Sequence, residues 1–164
     1  MKTFATRGVR VVVGMVAACL AFSAPVSAQA AAAGILQGSG TISPGLGATP
    51  APQTYTLSGS LTGAGAAGGS AVVVNDSCSY SGSSSGLGDN VAFGLGTMSG
   101  SCTGSLAITD TMTVVRVGAI ALEAGPDSTG GVAGEAIHIC IWIATQAPPI
   151  TNYIHVCVWI GWGA

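Results

Sequence analysis

From Ile137 to Ile143 the chain reads IHICIWI, and from Ile154 to Ile160 it reads IHVCVWI. Aliphatic residues alternate strictly with His, Cys and Trp in both copies. Period two is the signature of a strand, so His138, Cys140 and Trp142 share one face, as do His155, Cys157 and Trp159. The opposite face is wholly Ile and Val, and by its hydrophobicity it is read as core. The link between the copies contains Pro148-Pro149, which cannot lie in a central strand and marks a bend. The pair therefore predicts a hairpin.

The same period, broken by Gly, Ser and Pro, runs through the chain. It predicts strands at Ile35–Ile42, Thr54–Leu61, Ala71–Val74, Ser77–Ser81, Val91–Met98, Gly100–Ile108, Thr111–Leu122, Val132–Ile143 and Tyr153–Ile160. Val and Thr dominate these segments, and no later window shows a sustained helical period. The fold class is all-β: one antiparallel β-sandwich of Ig-like architecture, or an open barrel. No Trp lies between Cys78 and Cys102, so the immunoglobulin likeness concerns architecture alone.

The N-terminus departs from this pattern. Lys2, Arg7 and Arg10 precede the apolar run Val11–Phe22, and Val26-Ser27-Ala28 fits a small-x-small cleavage site. Residues 1–28 are read as a secretory signal peptide, 29–34 as a flexible leader and 35–164 as the extracellular domain. The apolar run is shorter than the ~20 residues of a membrane-spanning helix. The mature chain then holds no transmembrane segment and is secreted.

Removing the signal leaves Arg116 as the only Lys or Arg, against six Asp and Glu. One cation cannot neutralise a row of phosphates, which excludes nucleic acid as a partner. Four cysteines remain: Cys78, Cys102, Cys140 and Cys157. An even count in an exported chain reads as two disulfides with three possible pairings; spacing favours Cys78–Cys102 and Cys140–Cys157. If Cys140 opposes Cys157, the hairpin's midpoint falls between the two prolines. A two-residue slip instead sets His138 against Cys157 and Cys140 against His155, a zinc-type set. The oxidising compartment favours the disulfide, and no metal or other cofactor is expected.

Other motifs are weak. Gly63–Gly68 spells G-x-G-x-x-G but leads into a strand, where a dinucleotide site needs a helix. Gly82–Gly86 spells G-x-S-x-G around Ser84 without a following helix. Asn75, Asp76, Asp89 and Asn90 read as turn formers before calcium ligands. Arg116 reads as a structural cation, with Glu135 its expected partner.

Several segments carry a resemblance: GSGTISPGL (Gly38–Leu46), CSYSGSSSG (Cys78–Gly86), GTMSGSCTGS (Gly96–Ser105), VVRVGA (Val114–Ala119) and the late Cys pair around a Pro-rich turn. Together they resemble small secreted β-rich proteins of actinobacteria, a group of uncharacterised function. The resemblance implies an exported β-domain with two disulfides; it supplies no active site. The functional expectation is a non-catalytic surface or interaction module. Its contact face would be His138, Trp142, His155, Trp159 and Trp162, meeting an unknown protein or a cell-surface glycan; the alternative is that both faces of the hairpin are buried between layers, since large aromatics are usually core. The alternatives are an extracellular hydrolase and a self-assembling surface protein.

Overall fold

A computed structural model describes residues 31–67, 70–129 and 134–163. The expected signal peptide lies outside the described residues. Eight strands follow one another: β1 (Ala31–Leu46), β2 (Thr54–Ala67), β3 (Ser70–Ser84), β4 (Phe93–Thr103), β5 (Thr109–Val117), β6 (Ile120–Thr129), β7 (Gly134–Ala144) and β8 (Ile150–Gly163). Each pairs antiparallel with the next, and β8 pairs with β1. The all-β expectation holds, but the sheet closes into a barrel; it neither splits into a sandwich nor stays open.

The closing seam explains the difference. Residues Ala31 to Thr41 pair with β8 from Trp162 back to Asn152, while Ala31 to Ser43 pair with β2. The leader expected to be flexible thus supplies Ala31–Gly34 to the ladder. Without it the end of β8 would keep an unpaired edge.

Three other boundaries shift for local reasons. The two short strands predicted at 71–81 are one, because Asn75 and Asp76 continue the ladder with β2. Glycine at 100 likewise stays within β4, opposite Asp110. Conversely, the single strand predicted over 111–122 is two, turned at Gly118-Ala119, where Gly118 takes φ 57°.

The barrel assigns alternate residues to inside and outside. Every described charged side chain except Glu135 is inside: Asp76, Asp89, Asp110, Arg116 and Glu123 are buried, with His138 and His155. The aliphatic face of the β7–β8 hairpin, expected to be core, is outside. Ile139 and Ile141 are each 57% exposed, whereas His138 is 0% and Trp159 1% exposed. An eight-stranded barrel has an interior just wide enough to be filled by side chains. Here the filling is done by aromatic, sulfur and polar groups, with Leu36, Leu57, Leu61 and Met112.

Glycines inside β1 and β2 allow that packing. Tyr153 lies over Gly40, where a Cβ would sit 2.3 Å from its ring, and a Cβ at Gly59 would meet the Gln37 carbonyl oxygen at 2.1 Å.

The lower rim, where both ends of the described chain lie, is plugged. Leu106 and Ile108 from the β4–β5 loop are buried, and the Asp76 carboxylate accepts the N–H groups of Ser105, Leu106 and Ala107. The upper rim is latched by Arg116. Its guanidinium donates to Asp89 Oδ1 at 3.2 Å and to the carbonyls of Val91, Asn90, Phe93 and Gly118, and it lies 4.8 Å from the Trp142 ring centroid. Asp89 also accepts the Tyr55 hydroxyl. Arg116 is structural, as its setting suggested, but its partner is Asp89 and not Glu135.

Arg116→Met should therefore destabilise the barrel by about 3–5 kcal/mol, because it strands the buried Asp89 carboxylate. Glu135→Ala, on the exposed face, should change stability by no more than about 0.5 kcal/mol. Equilibrium denaturant unfolding of both variants checks the pair.

Candidate functional site

The polar interior is organised around Glu123 on β6. Strand alternation turns it inward, and register sets it opposite His138 of β7. Its Oε2 accepts from His138 Nδ1 at 3.3 Å, and its Oε1 accepts from His155 Nε2 at 2.9 Å. One buried carboxylate thus holds two buried imidazoles. The Sγ of Cys157 lies 3.4 Å from His155 Nδ1. His138 meets the Trp159 ring at a 5.9 Å centroid distance, and Tyr153 meets His155 at the same distance, edge-on. The Nε2 of His138 is buried without a hydrogen-bond partner.

Above this cluster lies a cavity of about 40 Å³, room for roughly three waters. Tyr55, Met98, Val114, Arg116, Trp142 and Tyr153 line it, and Glu123 and His155 form part of its wall. The guanidinium of Arg116 is already occupied by its latch contacts, so the cavity offers a carboxylate, an imidazole and phenols, without a free cation among the described residues.

Both cross-strand disulfides are formed, Cys78–Cys102 between β3 and β4 and Cys140–Cys157 between β7 and β8. The hairpin register sets Cys140 against Cys157, Trp142 against His155 and His138 against Trp159, about the two prolines. The slipped register, and with it the His138, Cys140, His155, Cys157 square, does not form. The compact set of potential ligands replaces His138 with Glu123: Glu123, Cys140, His155 and Cys157 have ligand atoms all within 4.8 Å of one another.

Of the two expectations for this face, an open contact surface and inward packing, the fold shows inward packing. His138, Trp142, His155 and Trp159 are all buried, and Trp142 donates its indole N–H to the Gly118 carbonyl. All four point into the barrel and are absent from its outer surface. Trp162 pairs through its backbone with Ala31 and Glu135, and its side chain lies outside the described residues. Ser84 sits at the end of β3 with its Oγ accepting the Gln53 N–H. Asp76 and Asp89 close opposite rims, and Asn90 accepts from Ala92 and Phe93 as a turn former.

Glu123 was the residue the sequence concealed. Reading 111–122 as one strand left it at a strand's end with no face. The signal that finds it is the Gly118-Ala119 turn, which starts a new strand whose inward parity begins at Ala121.

No family model, curated protein or solved structure matches the chain.

If Glu123 is the acceptor for both imidazoles, Glu123→Leu leaves two buried donors unpaired and should cost about 3 kcal/mol, at roughly 1–3 kcal/mol for each orphaned group. Glu123→Gln should cost clearly less, since an amide still offers hydrogen-bonding atoms where the carboxylate stood. Unfolding midpoints of the two variants order them.

Proposed function

We propose that the chain is an exported, non-catalytic β-barrel of the cell envelope whose aliphatic sector faces lipid acyl chains. The observation that carries this reading is the inverted polarity of the barrel. Charges sit inside, and the outside of β6, β7 and β8 is Ile120, Leu122, Ile139, Ile141, Ile143, Ile154, Val156, Val158 and Ile160, all exposed. Among the described side chains only Glu135 puts a charge outside. Soluble domains instead cover themselves with both signs of charge.

The architecture agrees. Membrane barrels use an even number of next-neighbour antiparallel strands, alternate apolar-out with polar-in, and close the ladder so that no edge meets lipid. Their strands cross in ~9–11 residues; those here run from 9 to 16. Among the described residues no helix is long and apolar enough to cross a membrane. The expectation that the mature chain holds no transmembrane segment rested on apolar runs of helical length, which an alternating strand never displays.

The remaining sector is uncharged and mixes hydroxyls with exposed aliphatic and aromatic side chains, among them Ile35, Val73, Phe93 and Leu95. Ser39, Thr41, Ser58, Ser60, Ser77, Ser79, Thr97 and Ser99 point outward from β1 to β4. Small hydroxyl residues are what pack and hydrogen-bond between neighbours inside membranes. Self-assembly, one of the sequence's alternatives, is compatible with this uncharged surface; for the hydrolase alternative, Ser84 is hydrogen-bonded to the Gln53 backbone N–H, and the hydrogen bonds of His138 and His155 go to Glu123.

Two measurements test the reading. Refolded protein mixed with phospholipid vesicles should float with them through a density gradient in high salt; protein left at the bottom overturns the proposal. Ile139→Arg, at the midpoint of β7, should lower stability in vesicles by about 2–4 kcal/mol, the cost of Arg near a bilayer midplane. On a water-facing surface the same change would stay within about 0.5 kcal/mol.

A further inference from the structure

We infer that opening the Cys140–Cys157 disulfide creates a zinc-class metal site from Cys140, Cys157, His155 and Glu123. The inference is independent of what surrounds the barrel. The four side chains come from β6, β7 and β8, all are buried, and their ligand atoms lie within 4.8 Å of one another. His155 Nε2 is 2.9 Å from Glu123 Oε1, and Cys157 Sγ is 3.4 Å and 3.5 Å from the two ring nitrogens of His155. Ligand atoms of a tetrahedral zinc site, with bonds of about 2.0–2.3 Å, stand roughly 3.3–3.8 Å apart. Cys157 Sγ and His155 thus already stand at that spacing, and Glu123 and His155 stand slightly closer.

Three further features favour binding here. The cavity above the cluster ends on Glu123 and His155, giving an ion an approach to both. The other carboxylate oxygen of Glu123 is held by His138 Nδ1 at 3.3 Å, the kind of outer contact that orients a metal ligand. The second disulfide provides a contrast. Cys78–Cys102 has Tyr80 Oη at 3.3 Å from a sulfur, and no His or carboxylate set surrounds it among the described residues.

The chemistry balances with an external dithiol as reductant. It transfers two electrons and two protons to the Cys140–Cys157 bond, giving two thiols, and leaves as its own disulfide. Binding of Zn²⁺ then displaces the two thiol protons, since the thiolate is the ligand. Re-oxidation by an external disulfide returns the protein bond and ejects the ion. The site is therefore governed by thiol redox state.

Cobalt(II) is the probe. The folded full chain is reduced on an immobilised dithiol resin, separated from it and titrated with Co²⁺ without oxygen. One equivalent should bring up thiolate-to-cobalt absorption and the visible bands of tetrahedral cobalt. The oxidised chain should show neither. The bands should survive in C78S/C102S, vanish in C140S/C157S and H155A, and require at least tenfold more Co²⁺ in E123Q and in H138A. Circular dichroism of the same sample reports whether the barrel persists. Absence of the bands in the reduced chain, their persistence in C140S/C157S, or loss of the β signal on reduction each overturns the proposal.

Discussion

Closure of the ladder is the constraint on which everything else depends. Once β8 pairs with β1, every strand has two partners and every second side chain is confined to a tube of fixed width. A sandwich lets a sequence place its two faces independently, layer by layer. A closed barrel does not: one parity is interior on all eight strands, and its side chains must fill the lumen together. Bulky, flat and polar groups fill it here, and the inward glycines give way where Tyr153 needs room.

The alternation, the strands and the hairpin were legible in the sequence. Pro148-Pro149 and the matched cysteines even set the register of β7 against β8. The sign of the partition was not legible, because period two separates two faces without saying which is inside. Reading the Ile face as core assumed water outside. The opposite answer was present in the parity of other residues. Asp76 shares parity with Cys78. If the disulfides are inside, that charge is inside with them.

The pattern also hid what depends on tertiary closure. Ala31–Gly34 carries no strand signal of its own; it is ordered because β2 and β8 both pair with it. Glu123 gained a role only once the turn at Gly118 gave β6 its own phase. Asp89 and Arg116 are far apart in sequence and lie in no shared motif, so only the upper rim brings them together. These are consequences of three-dimensional neighbours, which local propensity cannot supply.

Magnitude argues for the medium outside. Nine aliphatic side chains on β6–β8 keep 44% or more of their surface exposed, apart from Val156 at 37%. Fully burying such a side chain stabilises a protein by about 1.5–3 kcal/mol, so burying the exposed half is worth roughly 1 kcal/mol each. The barrel forgoes about 10 kcal/mol that an aqueous fold could have gained, which is comparable with the whole stability of a typical domain, about 5–15 kcal/mol. It also confines four carboxylates and one guanidinium inside, each at a cost in desolvation that hydrogen bonds must offset. In water both choices work against folding. Against hydrocarbon both reverse: an outward isoleucine costs nothing, and the lumen is the one place where a charge can find partners.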